Sequence, residues 1–97
     1  MEKEILDFID RRWYGYADWL NGNCLWFAYI LNKRFPQLQI YYLPIEGHFV
    51  CGIPQENEIL FFDWRGRIIV EEEPILFESI KKEDINYYKR LIKDCLL

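Results

Sequence analysis

The sequence predicts one α+β domain, residues 1–97, in which helices pack against an antiparallel sheet. The chain is long enough for one hydrophobic core, and its composition, 52% hydrophobic and 19% aromatic, is typical of a folded protein. Apolar residues recur at helical spacing near both ends, whereas β-rich segments separated by turn residues fill the middle. The expected element order is α-α-β-β-β-α, with three or four strands in a compact core.

Two amphipathic helices are expected before the sheet. The first spans residues 2–13, where these apolar residues recur every three or four positions: Ile5, Phe8, Ile9 and Trp13. Asn21-Gly22-Asn23 follows as a loop, and an asparagine there suits the cap of the next helix. That helix begins at Cys24, and Pro36 ends it. The residues on its inward face are Cys24, Phe27, Ala28, Leu31 and Phe35.

Three strands and a short fourth are expected in the middle of the chain. Their ranges are 39–43, 48–53, 58–64 and 68–70. Pro54-Gln55-Glu56-Asn57 is expected to form a four-residue hairpin loop between the second and third strands. The pattern at residues 75–80 is ambiguous. A last helix is expected where apolar residues regain helical spacing, at Ile85, Tyr88, Leu91, Ile92 and Cys95.

Charge and cysteine content narrow the classes of partner and compartment. The net charge of −4 disfavours nonspecific nucleic-acid binding, which needs a basic surface. No apolar run approaches the ~20 residues of a membrane span, and the charged start lacks a secretory apolar stretch. Three cysteines without a CxxC pair suit reduced thiols better than a disulfide framework. We therefore expect a cytoplasmic protein with no cofactor, no nucleic-acid partner and no membrane association.

The predicted hairpin places the only histidine beside a carboxylate. With residues 54–57 in the loop, Ile53 pairs with Glu58. Counting back along both strands then brings His48 directly opposite Asp63, with Cβ atoms about 4.5–5.5 Å apart. A carboxylate there accepts the imidazole N–H and stabilises the imidazolium. The same register assigns four more residues to this face, on which the second helix is expected to pack: Val50, Gly52, Ile59 and Phe61.

Cys24 is expected at the N-terminus of the second helix, close to that pair. The partial positive charge of a helix N-terminus and an adjacent imidazolium both lower the pKa of a thiol, and the thiolate is the nucleophilic form. Two structural alternatives stay open, because a lone cysteine most often packs in a core and a histidine often makes a structural hydrogen bond. A zinc site that adds Cys51 is not expected, since His48 and Cys51 lie three apart on one strand and point to opposite faces.

The stretch from Asn21 to Gly66 resembles the papain-like cysteine fold in its compact, transglutaminase-like form. NGNCLWFAYIL is similar to the nucleophile helix of that superfamily, in which Gly or Asn precedes the Cys and a Phe-Ala pair follows. GHFVCGI is similar to the segment with the His at the head of a strand, and LFFDWRG to the segment with the Asp late in the next strand. Small proteins of bacterial and phage genomes carry a similar pattern. The sequence departs from transglutaminases in having Leu25 directly after Cys24 and Trp64 directly after Asp63.

The resemblance implies a cysteine hydrolase or acyltransferase that acts on an amide or thioester of a protein or peptide. Cys24 would be the nucleophile, His48 the general base and Asp63 the orienting carboxylate. Substrate contacts and an oxyanion donor are expected among the loop residues before the second helix: Tyr16, Trp19, Asn21 and Asn23. The alternative is a non-catalytic binding protein on the same scaffold, such as a phage or mobile-element inhibitor of a host system.

Overall fold

Four helices and a five-stranded antiparallel sheet confirm the predicted α+β class. The computed structural model describes residues 1–13 and 24–96, with side chains described for residues 1–11 and 24–93. Within these ranges, no helix has both the length and the apolar character that crossing a membrane requires. The elements are α1 Glu2–Trp13, α2 Cys24–Arg34, β1 Gln39–Leu43, β2 His48–Pro54, β3 Ile59–Asp63, β4 Gly66–Ile68, β5 Ile75–Leu76, α3 Phe77–Glu83 and α4 Ile85–Leu96.

The four helices contribute to one large core on a single face of the sheet. The strand order is β4-β3-β2-β1-β5, so the three central strands form a meander and the two short strands lie at the edges. Strand side chains that alternate toward the helices are fully or largely buried in this core: Tyr42, Phe49, Cys51, Leu60 and Phe62. Buried helix residues complete it: Ile5, Ile9, Leu25, Phe27, Leu31, Phe77, Ile80 and Leu91.

Helix α2 packs on β2, but on the opposite face from the one predicted. Its predicted inward face is confirmed, because all five of its residues are buried. The Cys51 thiol donates a hydrogen bond to the Ala28 carbonyl oxygen (3.3 Å), so the helix lies on the Cys51 face of the strand. The face of Val50 and Phe61, on which the helix was expected, instead belongs to a second, smaller cluster. Ala28, which is fully buried, has the small side chain that such a close approach requires.

The predicted pairing of β2 with β3 is wrong by two residues. Strand β2 continues through Pro54, which pairs with Ile59, and Ile53 pairs with Leu60 instead of Glu58. The loop is closed by the Gln55 N–H, which donates to the Glu58 carbonyl oxygen (2.7 Å). Pro54 sits on the last rung of the ladder, where its missing N–H costs no interior hydrogen bond. A shift of two residues keeps every side chain on its face, so the consequence is a displacement along the strand.

The turn after β3 explains why the fourth strand begins earlier than predicted. Asp63 pairs with Gly66, which leaves only Trp64 and Arg65 in the turn. Gly66 has a φ of +103°, and no other type of residue in the described ranges has a positive φ. A glycine with positive φ directly after a short turn lets the chain enter the next strand at once. β4 therefore spans residues 66–68 and not 68–70.

The ambiguous region contains two elements that the sequence did not predict. β5 adds a fifth strand by pairing Ile75 with Tyr42 and Leu76 with Tyr41. Helix α3 follows without an intervening loop and ends at Glu83, just before α4. Each element is shorter than the window in which hydrophobic periodicity is recognisable, so the packed surface beside them determines their structure.

The connection from β4 to β5 covers the second face of the sheet. These strands lie at opposite edges, so residues 69–74 must cross the three strands between them. Val70 packs on the cluster of that face, whose buried members are Tyr41, Leu43, Val50 and Phe61. Glu72 ties the connection to the β1–β2 turn, because its carboxylate accepts the backbone N–H groups of Ile45 (2.7 Å) and Glu46 (3.0 Å).

The second face also depends on a glycine in β2. A Cβ atom at Gly52 would lie 2.8 Å from Ile59 Cγ2 and 2.9 Å from Tyr41 Cε2. The missing side chain allows the rings of Tyr41 and Phe61 to meet edge to face, with centroids 5.3 Å apart. Gly52→Ala should therefore lower the free energy of unfolding by roughly 1–3 kcal/mol, as overpacking does in other cores. Urea unfolding measures this loss.

Gly47→Asn is the matched glycine substitution for that experiment. Gly47 has a φ of +65°, which asparagine tolerates, and the nearest atom to a Cβ there is 3.9 Å away. We expect this variant to lose less than about 1 kcal/mol. An equal or larger loss for Gly47→Asn than for Gly52→Ala would contradict the packing argument.

Candidate active site

The topology brings Cys24, His48 and Asp63 to one end of the sheet. β2 begins at His48, and its antiparallel neighbour β3 ends at Asp63, so both residues lie at the same sheet end. α2 begins at Cys24, and Ala28, one turn later, contacts Cys51 of β2. Cys24 interacts with His48 at the start of β2, and Ala28 contacts Cys51 three residues further along it, so the helix runs in the same direction as the strand.

His48 and Asp63 form a buried cross-strand hydrogen bond, as predicted. The Nε2 atom of His48 is 3.2 Å from Oδ2 of Asp63, and the two side chains are only 2% and 0% exposed. The pair is not directly opposed, because the shifted register aligns Asp63 with Val50. A diagonal neighbour on the same face remains within reach of a long side chain. The ring of Trp64 packs edge to face against His48, with centroids 5.8 Å apart.

Arg65 is a member of this site that sequence analysis did not identify. Its backbone N–H donates to Oδ1 of Asp63 (2.8 Å), and its guanidinium donates to both carboxylate oxygens through Nε and Nη2. The guanidinium also lies over the Trp64 ring, 4.6 Å from its centroid. The available signal was an Asp followed two residues later by an Arg in a turn, where Asp side chains commonly accept backbone N–H groups.

These partners keep the Asp63 carboxylate ionised despite its burial. Burial is the largest single influence and acts to raise the pKa of Asp63. The hydrogen bond with His48 and the hydrogen bonds and charge of Arg65 act in the opposite direction and prevail, so the pKa lies below its usual value. A carboxylate buried without such partners would be strongly destabilising.

Asp63 and Cys24 shift the imidazole of His48 toward its charged form. Burial is again the largest influence and lowers the pKa of His48. Hydrogen bonds with Asp63 and Cys24, and the charges of both, outweigh it and raise the pKa of His48 to about 9. At neutral pH the ring is therefore an imidazolium that interacts with a carboxylate and with the Cys24 sulfur.

Cys24 interacts with the imidazole while lying inside the core. It is 2% exposed and is not in a disulfide. The Nδ1 atom of His48 has no hydrogen-bond partner of strict geometry within the described ranges. The thiol nevertheless acts on the imidazole, because its interaction with the ring contributes to the raised pKa of His48.

Of the other residues considered in the sequence analysis, the structure describes Cys51 but not the expected substrate contacts. Tyr16, Trp19, Asn21 and Asn23, the expected substrate contacts, lie outside the described residues. Cys51 is fully buried, and burial strongly raises the pKa of its thiol. Among the side chains of residues 1–11 and 24–93, no three from His, Cys, Asp or Glu are grouped to hold a metal ion.

Comparison with known proteins identifies one family. A family model described as phage YunG-like protein matches residues 4–96, which is nearly the whole chain. No curated protein and no solved structure matches the chain.

The pKa of His48 is directly measurable because the chain contains one histidine. In an NMR titration the imidazole should change protonation near pH 9. Asp63→Asn should lower this pKa, because an amide keeps the volume but cannot stabilise the imidazolium by charge. An imidazole that titrates at or below its ordinary value of ~6.5 in the parent protein would contradict the geometry described above.

Proposed function

The chain belongs to the phage YunG-like protein family, and we propose that it is a cysteine-dependent hydrolase or acyltransferase. Cys24 is the nucleophile, His48 the general acid and base, and Asp63 the carboxylate that orients His48. The observation that supports this assignment is one buried imidazole that interacts with both a thiol and a carboxylate. Such a chain of groups is the arrangement by which proteins activate a nucleophile.

The two nitrogens of His48 have different roles in this proposal. Nε2 faces Asp63, which leaves Nδ1 as the nitrogen for proton exchange with Cys24 and substrate. The protonated ring stabilises a thiolate, and the N-terminus of α2 adds a partial positive charge. The reactive form at neutral pH is then a thiolate–imidazolium pair.

The reaction follows from that pair. The Cys24 thiolate attacks the carbonyl carbon of an amide or thioester, forming a C–S bond while the carbonyl π electrons move to oxygen. The tetrahedral adduct collapses, the bond to the leaving group breaks, and the His48 imidazolium donates its proton to that group. Water or an amine then attacks the Cys24 thioester, His48 accepts the proton, and the thiolate leaves. Hydrolysis and acyl transfer differ only in the second nucleophile.

The proposal retains the papain-like, transglutaminase-like character of the site and a protein or peptide substrate. The order of Cys24, His48 and Asp63 on a helix, a strand and the next strand supports that resemblance. A reducing compartment such as the cytoplasm would keep Cys24 and Cys51 as thiols, the form in which both occur.

Burial of the site favours a second candidate function. With Cys24 only 2% exposed, the Cys-His-Asp cluster is also compatible with a structural role in a non-catalytic binding protein. Such a protein would act by occluding a host component, as phage or mobile-element inhibitors do. Thiol chemistry separates the two candidates.

In the enzyme, Cys24 should be alkylated faster than any ordinary thiol at pH 6. A thiolate stabilised by an imidazolium should react with iodoacetamide roughly 10- to 100-fold faster than free cysteine, of which little is ionised at that pH. Cys51 serves as the internal control, because burial raises the pKa of its thiol and it should stay unmodified, whereas Cys24 interacts with the His48 imidazolium. Peptide mapping by mass spectrometry assigns the label, and a Cys24 that reacts no faster than free cysteine would support the binding protein.

Cys24→Ala tests the chemical role with Cys51→Ala as its control. Both cysteines are buried, so each variant should lose about 1–2 kcal/mol of unfolding free energy. After mixing with a small acyl thioester, the parent and Cys51→Ala should gain one acyl group in intact mass spectra. Cys24→Ala should gain none, because no neighbouring group replaces the thiolate. Equal acylation of all three proteins would exclude Cys24 as the nucleophile.

A further inference from the structure

The Asp63 carboxylate interacts with two cationic side chains, those of His48 and Arg65. Its Oδ2 atom is 3.2 Å from His48 Nε2 and 3.0 Å from Arg65 Nε, and it also accepts Arg65 Nη2. We propose that Arg65 is a positioning residue that acts on His48 through Asp63: its guanidinium shares the carboxylate with the imidazole and draws away part of the negative charge that would otherwise act on the ring. The catalytic meaning of this inference rests on the proposed function, whereas the contacts of Asp63 with His48 and Arg65 are independent of it.

The guanidinium does more than close the β3–β4 turn. The backbone N–H of Arg65 already satisfies the turn by donating to Oδ1, and any residue except proline can supply that bond. The side chain adds a planar fork that contacts both oxygens, which fixes the rotation of the carboxylate. The fork is itself held by stacking on Trp64, whose ring also packs against His48.

Arg65 differs from the rest of the site in its exposure. Its side chain is 51% exposed, whereas Asp63 is fully buried. A buried carboxylate shared with a half-exposed cation interacts less strongly with its other partner, because hydrogen bonds to Oδ2 compete for the same electron density. Among the described residues, the titratable groups that act on His48 are Asp63 and Cys24, and Glu46 acts on Arg65.

Arg65→Gln tests the shared carboxylate, with the single-histidine NMR titration as readout. Removing the guanidinium should leave more of the Asp63 charge to His48, so the pKa of His48 should shift upward. Arg67→Gln is the matched control, since Arg67 pairs with Glu2 and Glu58 at the surface and should leave the titration unchanged. Should Arg65→Gln fold poorly, Arg65→Lys keeps a charge without the fork and should shift the pKa in the same direction by less.

A double substitution separates sharing from a distant charge effect. In an Asp63→Asn background, Arg65→Gln should no longer shift the His48 titration, because the shared carboxylate is gone. A titration that Arg65→Gln leaves unchanged or lowers, or a shift of equal size in both backgrounds, would overturn the inference. These results do not depend on catalysis, so an inert Cys24 in the alkylation experiment would refute the proposed function and leave this test valid.

Discussion

The buried carboxylate of Asp63 is the constraint on which this end of the fold depends. A fully buried charge is tolerated only when hydrogen bonds and opposite charges replace water. The side chain of His48, the backbone N–H of Arg65 and the guanidinium of Arg65 supply them. These contacts join the start of β2, the end of β3 and the β3–β4 turn. The contact with Asp63 also holds the only imidazole of the chain at the sheet end where it interacts with Cys24, the first residue of α2.

Sequence patterns predicted the elements of this fold better than their alignment. Periodicity was sufficient for α1, α2 and the central strands, because each is long enough to show one buried face. The β2–β3 register was predicted wrongly because Pro54 was assigned to the loop, whereas it occupies the last rung of the strand. The predicted contact of His48 with Asp63 is nevertheless present, because a shift of two residues leaves each side chain on the same face of the sheet. Arg65 was missed because the spacing of Asp63 and Arg65 indicates a turn but does not show that the guanidinium folds back onto the carboxylate.

The helical face of the sheet supplies most of the core, and the cluster of Cys24, His48 and Asp63 lies at one end of it. This core includes Cys51, whose thiol donates a hydrogen bond to the backbone of α2. The site lies where this core meets the sheet end, so its groups are buried, and the Trp64 ring packs against His48. Low local polarity strengthens the interactions among a thiol, an imidazole and a carboxylate. The same burial limits the access of solvent and solutes to these groups.

The connection from β4 to β5, which crosses the second face of the sheet, has a minimum length. From β4 to β5 the chain must span four strand spacings of about 4.8 Å, or ~19 Å in all. Seven residue steps between Ile68 and Ile75 reach at most ~25 Å when extended. Deleting two residues there would leave the chain too short to form β5, and α3 and α4 would lose their attachment to the sheet edge. Insertions cost little by comparison, because loop-closure entropy grows slowly with length. Natural variation in this segment should therefore be one-sided, with additions tolerated and losses absent.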